Sequence, residues 1–220
     1  MRGLAPLLTI LLLPLSSPLA QREYNPLVFE WVEVSVSFQG DGSAVFEMRG
    51  MLKNEGEVVV VPGYGFLKVS APSVEDLSAR GPGGPIEATV SEEGDLKVIR
   101  YSLWEPLEPG EAVNVSISFR VPSASSGLLF REAVLGVGGF SSSVERGVLQ
   151  VSPPPGSHIT YSSRDLPLSL DGLPQGEGVE VEVEFGPLPA RLPVKASIAT
   201  WTAVLAVLAV VALKVGRGRG

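Results

Sequence analysis

The chain contains no cysteine, and histidine occurs once in its 220 residues, at His158. Without cysteine there is no disulfide framework, no thiolate nucleophile and no site for a cysteine-linked lipid anchor. An exported domain of this kind is held together by its core alone. A single histidine, following Gly156-Ser157 in an expected turn, supplies no zinc-ligand spacing and reads as an exposed loop residue rather than a base. The serine run Ser141-Ser142-Ser143 lacks the flanking glycines of a nucleophile elbow. Gly63-Tyr64-Gly65 and Gly136–Gly139 lack a Gly-Lys-Ser/Thr ending, which makes them expected turns rather than phosphate cradles. Positive charge is also scarce, with 17 Lys and Arg against 24 Asp and Glu.

That charge is unevenly placed. All the acidic residues lie between Glu23 and Glu184, whereas Arg2, Lys195, Lys214, Arg217 and Arg219 lie outside Gln21–Val194. The middle section therefore carries 12 − 24 = −12. Such a surface excludes nucleic acid as a partner, because phosphate binding needs clustered Lys and Arg. It suits a soluble external domain or one that attracts basic partners.

Each end is apolar. Arg2 precedes Leu7–Leu13, and Ser16-Ser17-Pro18-Leu19-Ala20 follows, which predicts a signal peptide over 1–20 with cleavage after Ala20. Pro18 departs from the small-residue box, and an uncleaved N-terminal anchor is the alternative. Ala196–Leu213 has no charged residue and is followed by Lys214, Arg217 and Arg219. Eighteen residues rising about 1.5 Å each make roughly 27 Å, close to the ~30 Å hydrocarbon thickness. A transmembrane helix is therefore expected over 196–213, with Trp201 at the outer interface, Lys195 outside it and a basic cytoplasmic tail over 214–220. A buried core helix is the alternative. Leu192-Pro193-Val194-Lys195-Ala196 resembles a sortase signal, but Lys195 and Ala196 replace the expected threonine and glycine. The expected location is the cell membrane, single-pass, with the N-terminal domain outside.

Between the ends, side chains alternate with period two. Val32, Val34, Val36 and Phe38 alternate with polar residues, Asp41-Gly42 turns the chain, and Ala44, Phe46 and Met48 continue a hairpin. Val113–Phe119 and Val179–Phe185 show the same period. Val58–Val61, Ile86–Val90, Leu96–Leu103 and Gly147–Val151 add shorter expected strands. Ser73–Ala79 is the one external window with a short helical reading. The expectation is an all-β ectodomain, an immunoglobulin-like sandwich or two packed sandwiches, plus one C-terminal transmembrane helix. Its parts are a sandwich over 21–121, a smaller β domain or an extension of the first over 122–186, and a Pro-rich stalk over 187–195.

Acidic groups at Glu92, Glu93 and Asp95 and at Glu105, Glu108 and Glu111 lack a calcium-loop array and read as solvated turns. No pair among the carboxylates is singled out as a glycosidase pair. Asn114-Val115-Ser116 is an acceptable glycosylation sequon, with its asparagine on the polar side of a strand. No catalytic, cofactor or metal residue is expected.

The tract Tyr101–Glu111, leading through Pro109-Gly110-Glu111 into the Val113–Phe119 strand, resembles the penultimate turn and strand of prokaryotic surface sandwich domains, archaeal ones among them. It is similar also to ribophorin-type subunits of oligosaccharyltransferase in its signal, β-ectodomain and anchor plan. The expected function is that of a non-catalytic, single-pass surface protein whose β-sandwich binds another protein or an envelope component. An accessory subunit of a membrane-embedded complex, such as glycosyl-transfer or secretion machinery, is the alternative, and a carboxylate-based hydrolase the third reading.

Overall fold

The computed structural model describes residues 25–127, 129–189, 198 and 201–208. Within them the chain forms β1 (Leu27–Phe38), β2 (Ala44–Asn54), β3 (Gly63–Ser70), β4 (Glu75–Gly81), β5 (Gly84–Ile86), β6 (Ala88–Glu93), β7 (Leu96–Leu103), β8 (Ala112–Val121), β9 (Arg131–Gly138), β10 (Ser143–Ser152), β11 (His158–Ser162), β12 (Leu168–Ser169) and β13 (Gly178–Gly186). These make two sheets, ordered β12-β10-β1-β2-β8-β4-β5 and β11-β13-β9-β3-β7-β6. Thirteen strands exceed the seven to nine of an immunoglobulin-like plan, which corrects that part of the expectation.

The strand period explains the layers. Val34, Val36 and Phe38 of β1, Phe46 and Met48 of β2, and Val115, Ile117 and Phe119 of β8 all turn inward and are buried. Their inner face meets Leu67 and Val69 of β3, Leu135 and Val137 of β9, and Val181, Val183 and Phe185 of β13 in one hydrophobic cluster. Phe46 and Phe119, directly opposite in register, stack with centroids 5.0 Å apart. Two aromatic contacts pin the sheets to each other at opposite ends: Phe29 meets Phe140 at 6.0 Å, and Phe38 meets Phe185 at 4.8 Å. Inside β1 the apolar positions change phase, from Leu27 and Phe29 to Val32, Val34 and Val36. A bulge between Phe29 and Trp31 absorbs the extra residue, so both sets reach the core.

β1 pairs antiparallel with β2 on one side and parallel with β10 on the other. Strands that follow the Val121–Gly127 connection thus enter both sheets, β10 beside β1 and β9 beside β3. Both outermost strands of the larger sheet are very short, which limits open edge for further pairing.

Several expectations are corrected. The window at 73–79 is not helical: its side chains join β4, which pairs with β8. Val58–Val61 is not a strand, and only Val60 forms an isolated bridge, to Leu107. Gly63–Gly65 and Gly136–Gly138 lie within strands β3 and β9. His158 opens β11, paired with Gly186. Among the described residues no helix is long and apolar enough to cross a membrane, so the transmembrane helix expected over 196–213 and the single-pass description are not upheld. The signal peptide over 1–20 and Lys195, Lys214, Arg217 and Arg219 lie outside the described residues.

Candidate functional site: an exposed apolar tip

At one end of the molecule β2 leads into residues 55–62 before β3, and β7 leads into residues 104–111 before β8. Both connections are fastened by one buried side chain. Asn54, with no exposed surface, donates through Nδ2 to the carbonyls of Val58 at 2.8 Å and Leu107 at 2.9 Å, and its Oδ1 accepts from the Gly56 amide at 2.9 Å. Its backbone adds two links, donating to Glu111 O at 2.9 Å and accepting from Gly110 N at 2.8 Å. A buried amide with its donors and acceptor used in this way holds a loop in one shape. Val60 and Leu107 then bond reciprocally, N to O, at 3.0 and 2.8 Å.

Fixing Val60 and Leu107 inward forces their neighbours outward. Val58, Val59 and Val61 are 66%, 56% and 48% exposed, and Tyr64 and Trp104 are 67% and 59% exposed. The two rings meet edge to face at 5.2 Å. Gly63, at φ +70°, turns the chain into β3 beneath Trp104. Beside the rings a groove of about 370 Å³ runs over the outer face of β3, β7 and β6, lined by Tyr64, Phe66, Glu87, Thr89, Arg100 and Ser102. The tip is acidic: residues 53–64 and 104–111 hold Glu55, Glu57, Glu105, Glu108 and Glu111 against Lys53, a net 1 − 5 = −4.

Of the sequence candidates, the Glu105, Glu108 and Glu111 turn belongs to this tip and the others lie elsewhere. Asn114 is exposed on the outer face of β8, opposite Met51. Trp201 is exposed in the helical run described at 201–208. Glu92 bonds Lys97, and this contact holds its carboxyl below the usual range; Glu93 pairs with Lys68 at 2.9 Å. Glu111 accepts from the Glu108 amide at 2.9 Å, which makes that acidic turn a self-capped loop. Ser141 and Ser142 hold Asn25 through Nδ2 at 3.1 and 3.4 Å, which gives the serine run a structural use. Among the described residues no three metal-ligating side chains converge. The tip itself escaped sequence reading because Val58-Val59-Val60-Val61 passes for a buried strand. The usable signal was its punctuation, Glu55-Gly56-Glu57 before and Pro62-Gly63 after.

The architecture is that of a two-sheet β protein presenting a fixed apolar tip. No family model matches the chain. It is 25% identical over 127 residues to an uncharacterised protein of the archaeon Methanocaldococcus jannaschii, covering 57% of this chain and 92% of that one. Among solved structures it is similar to an M1 zinc metallopeptidase from Deinococcus radiodurans, with TM-score 0.40 and 12% identity over 73% of this chain and 42% of that one. A second is native yeast LTA4 hydrolase, with TM-score 0.43 and 10% identity over 78% of this chain and 33% of that one. The chain spans less than half the length of either enzyme.

Proposed function

We propose that the protein is a non-catalytic module at the cell surface whose tip binds another protein or an envelope component. The observation that carries the reading is the pair Tyr64 and Trp104 with Val58, Val59 and Val61, held outward by the buried Asn54. Scaling by their exposure, and taking ~150–250 Å² for a whole aromatic side chain, these five together expose on the order of 500 Å². That is more than half of the ~800 Å² that each partner contributes to a standard interface. Tryptophan and tyrosine concentrate binding energy at such surfaces, and a fixed loop has little ordering entropy to lose.

The test is co-purification from the envelope of the source cell, with wild type compared to Trp104→Ala/Tyr64→Ala. Both side chains are exposed, so the double variant keeps its melting temperature. Loss of one stoichiometric species with the double variant supports the reading, and an integral-membrane identity for that species would favour the accessory-subunit form of it. An identical set of co-purifying species from both proteins refutes it. Surface location is tested separately, by protease digestion of intact cells; complete protection of the β domain argues against it.

A further inference from the structure

We infer that the tip's occupant is a protein segment that combines apolar side chains with lysine or arginine, and neither a second copy of this chain nor an anionic lipid surface. The inference rests on the binding reading above and adds the chemistry of the partner. Glu57 stands next to Val58, Glu105 next to Trp104, and Glu87 in the groove beside Tyr64 and Phe66. All three are exposed, and among the described residues none has an ion-pair partner. Some acidic groups elsewhere on the sheets are paired, Asp41 and Glu75 with Arg120, Glu30 with Arg146, Glu92 with Lys97 and Glu93 with Lys68, while others such as Glu180 and Glu182 are not, among the described residues; what sets the tip carboxylates apart is their place beside exposed apolar side chains. The apolar patch is thus rimmed by carboxylates whose charge is left for something outside the chain.

Charge decides between occupants. A two-fold pairing of tips would set Glu57 and Glu105 of one copy against the same residues of the other, since an isologous interface puts one patch on itself. A leaflet of acidic lipid carries the same sign and repels the rim. A segment with apolar residues over Trp104 and the valines, flanked by cations facing Glu57, Glu87 and Glu105, satisfies both halves of the surface. Arg100, the one cation lining the groove, fits a main-chain carbonyl of such a segment.

The experiment measures binding of a short synthetic peptide alternating leucine and lysine to the full chain in mild detergent, by fluorescence anisotropy over a salt series. Trp104→Ala/Tyr64→Ala and Glu57→Gln/Glu87→Gln/Glu105→Gln are each expected to weaken binding by about tenfold or more. Glu180→Gln/Glu182→Gln/Asp165→Asn, which removes equal charge elsewhere, should change it by less than about twofold, and rising salt should weaken the wild type. A leucine and glutamate peptide should not bind. Equal loss from the tip and remote charge variants would mean general attraction to an acidic protein and overturns the inference. So does tip-dependent binding to phosphatidylglycerol vesicles, or tip-dependent self-association in sedimentation. Failure of the lysine peptide while tip-dependent co-purification persists overturns the partner chemistry and leaves the binding reading standing. Failure of both removes the binding reading too.

Discussion

Replacing Asn54 by alanine removes three side-chain hydrogen bonds at once: to Val58 O, to Leu107 O and from Gly56 N. Their fates differ. Val58 and its neighbours are exposed, so the freed groups there regain water, and Leu107 O still accepts from Val60 N at 3.0 Å. At about 1 kcal/mol for each net bond, plus the cost of a small buried void, the loss should be about 2–4 kcal/mol. For a domain of this size that lowers the melting temperature by about 10 °C. Thermal melts followed by far-UV circular dichroism give the global cost. Amide hydrogen exchange gives the local one: Val60 N and Leu107 N should exchange faster, because their reciprocal pair depends on Asn54 holding both loops. Asn54→Asp should be worse at neutral pH than at acid pH, since a buried carboxylate there faces two carbonyls. An alanine variant that melts within about 1 °C of wild type, with unchanged exchange at those amides, would refute the account of the tip as a fastened structure.

Two further outcomes follow from packing around Tyr101. A Cβ on Gly65 would lie 2.2–2.4 Å from the Tyr101 ring, so Gly65→Ala must displace a buried side chain. It should cost about 1–3 kcal/mol in a urea titration, and an unmoved midpoint would contradict that contact. Burial pushes the Tyr101 hydroxyl up to about 12 from an ordinary value near 10. The folded state therefore keeps a proton that the unfolded chain gives up, so stability is full below pH ~10 and declines as pH rises from about 10 to 12. Tyr101→Phe should flatten that alkaline slope relative to wild type; an unchanged slope would place its cause elsewhere.

Sequence carried the β strands where one face is buried and the other wet. Val32–Phe38, Val113–Phe119 and Val179–Phe185 were legible because alternation fixes which side chains face the core, and Asp41-Gly42 marked the hairpin between β1 and β2. Leu96–Leu103 coincides with β7. Strands rich in glycine were not legible: β3 and β9 contain Gly63, Gly65, Gly136 and Gly138, residues that read as turns without their neighbours. In β3 the reason is visible, since Gly65 is small to admit the Tyr101 ring from β7. Pairing order was hidden as well, because nothing local in β1 announces a parallel partner as distant as β10. At the C-terminal segment an apolar run satisfies the length rule for a span, but among the described residues no helix is long and apolar enough to cross a membrane. As for the tip, three of the four valines that suggested a strand, Val58, Val59 and Val61, face outward around an inward Val60, in a loop fastened by Asn54, a residue whose role depends on two loops meeting.

The parallel pairing of β1 with β10 sets a timetable for folding. Val28 lies opposite Ser143, 143 − 28 = 115 residues further along, so one side of the first strand stays open until most of the chain has been made. Bringing such distant segments together is entropically slow, and hairpins such as β1–β2 form long before the second edge of β1 is covered. A growing chain that ends before β10 therefore presents an unpaired strand whose buried face is Val32, Val34, Val36 and Phe38, a template for unwanted partners.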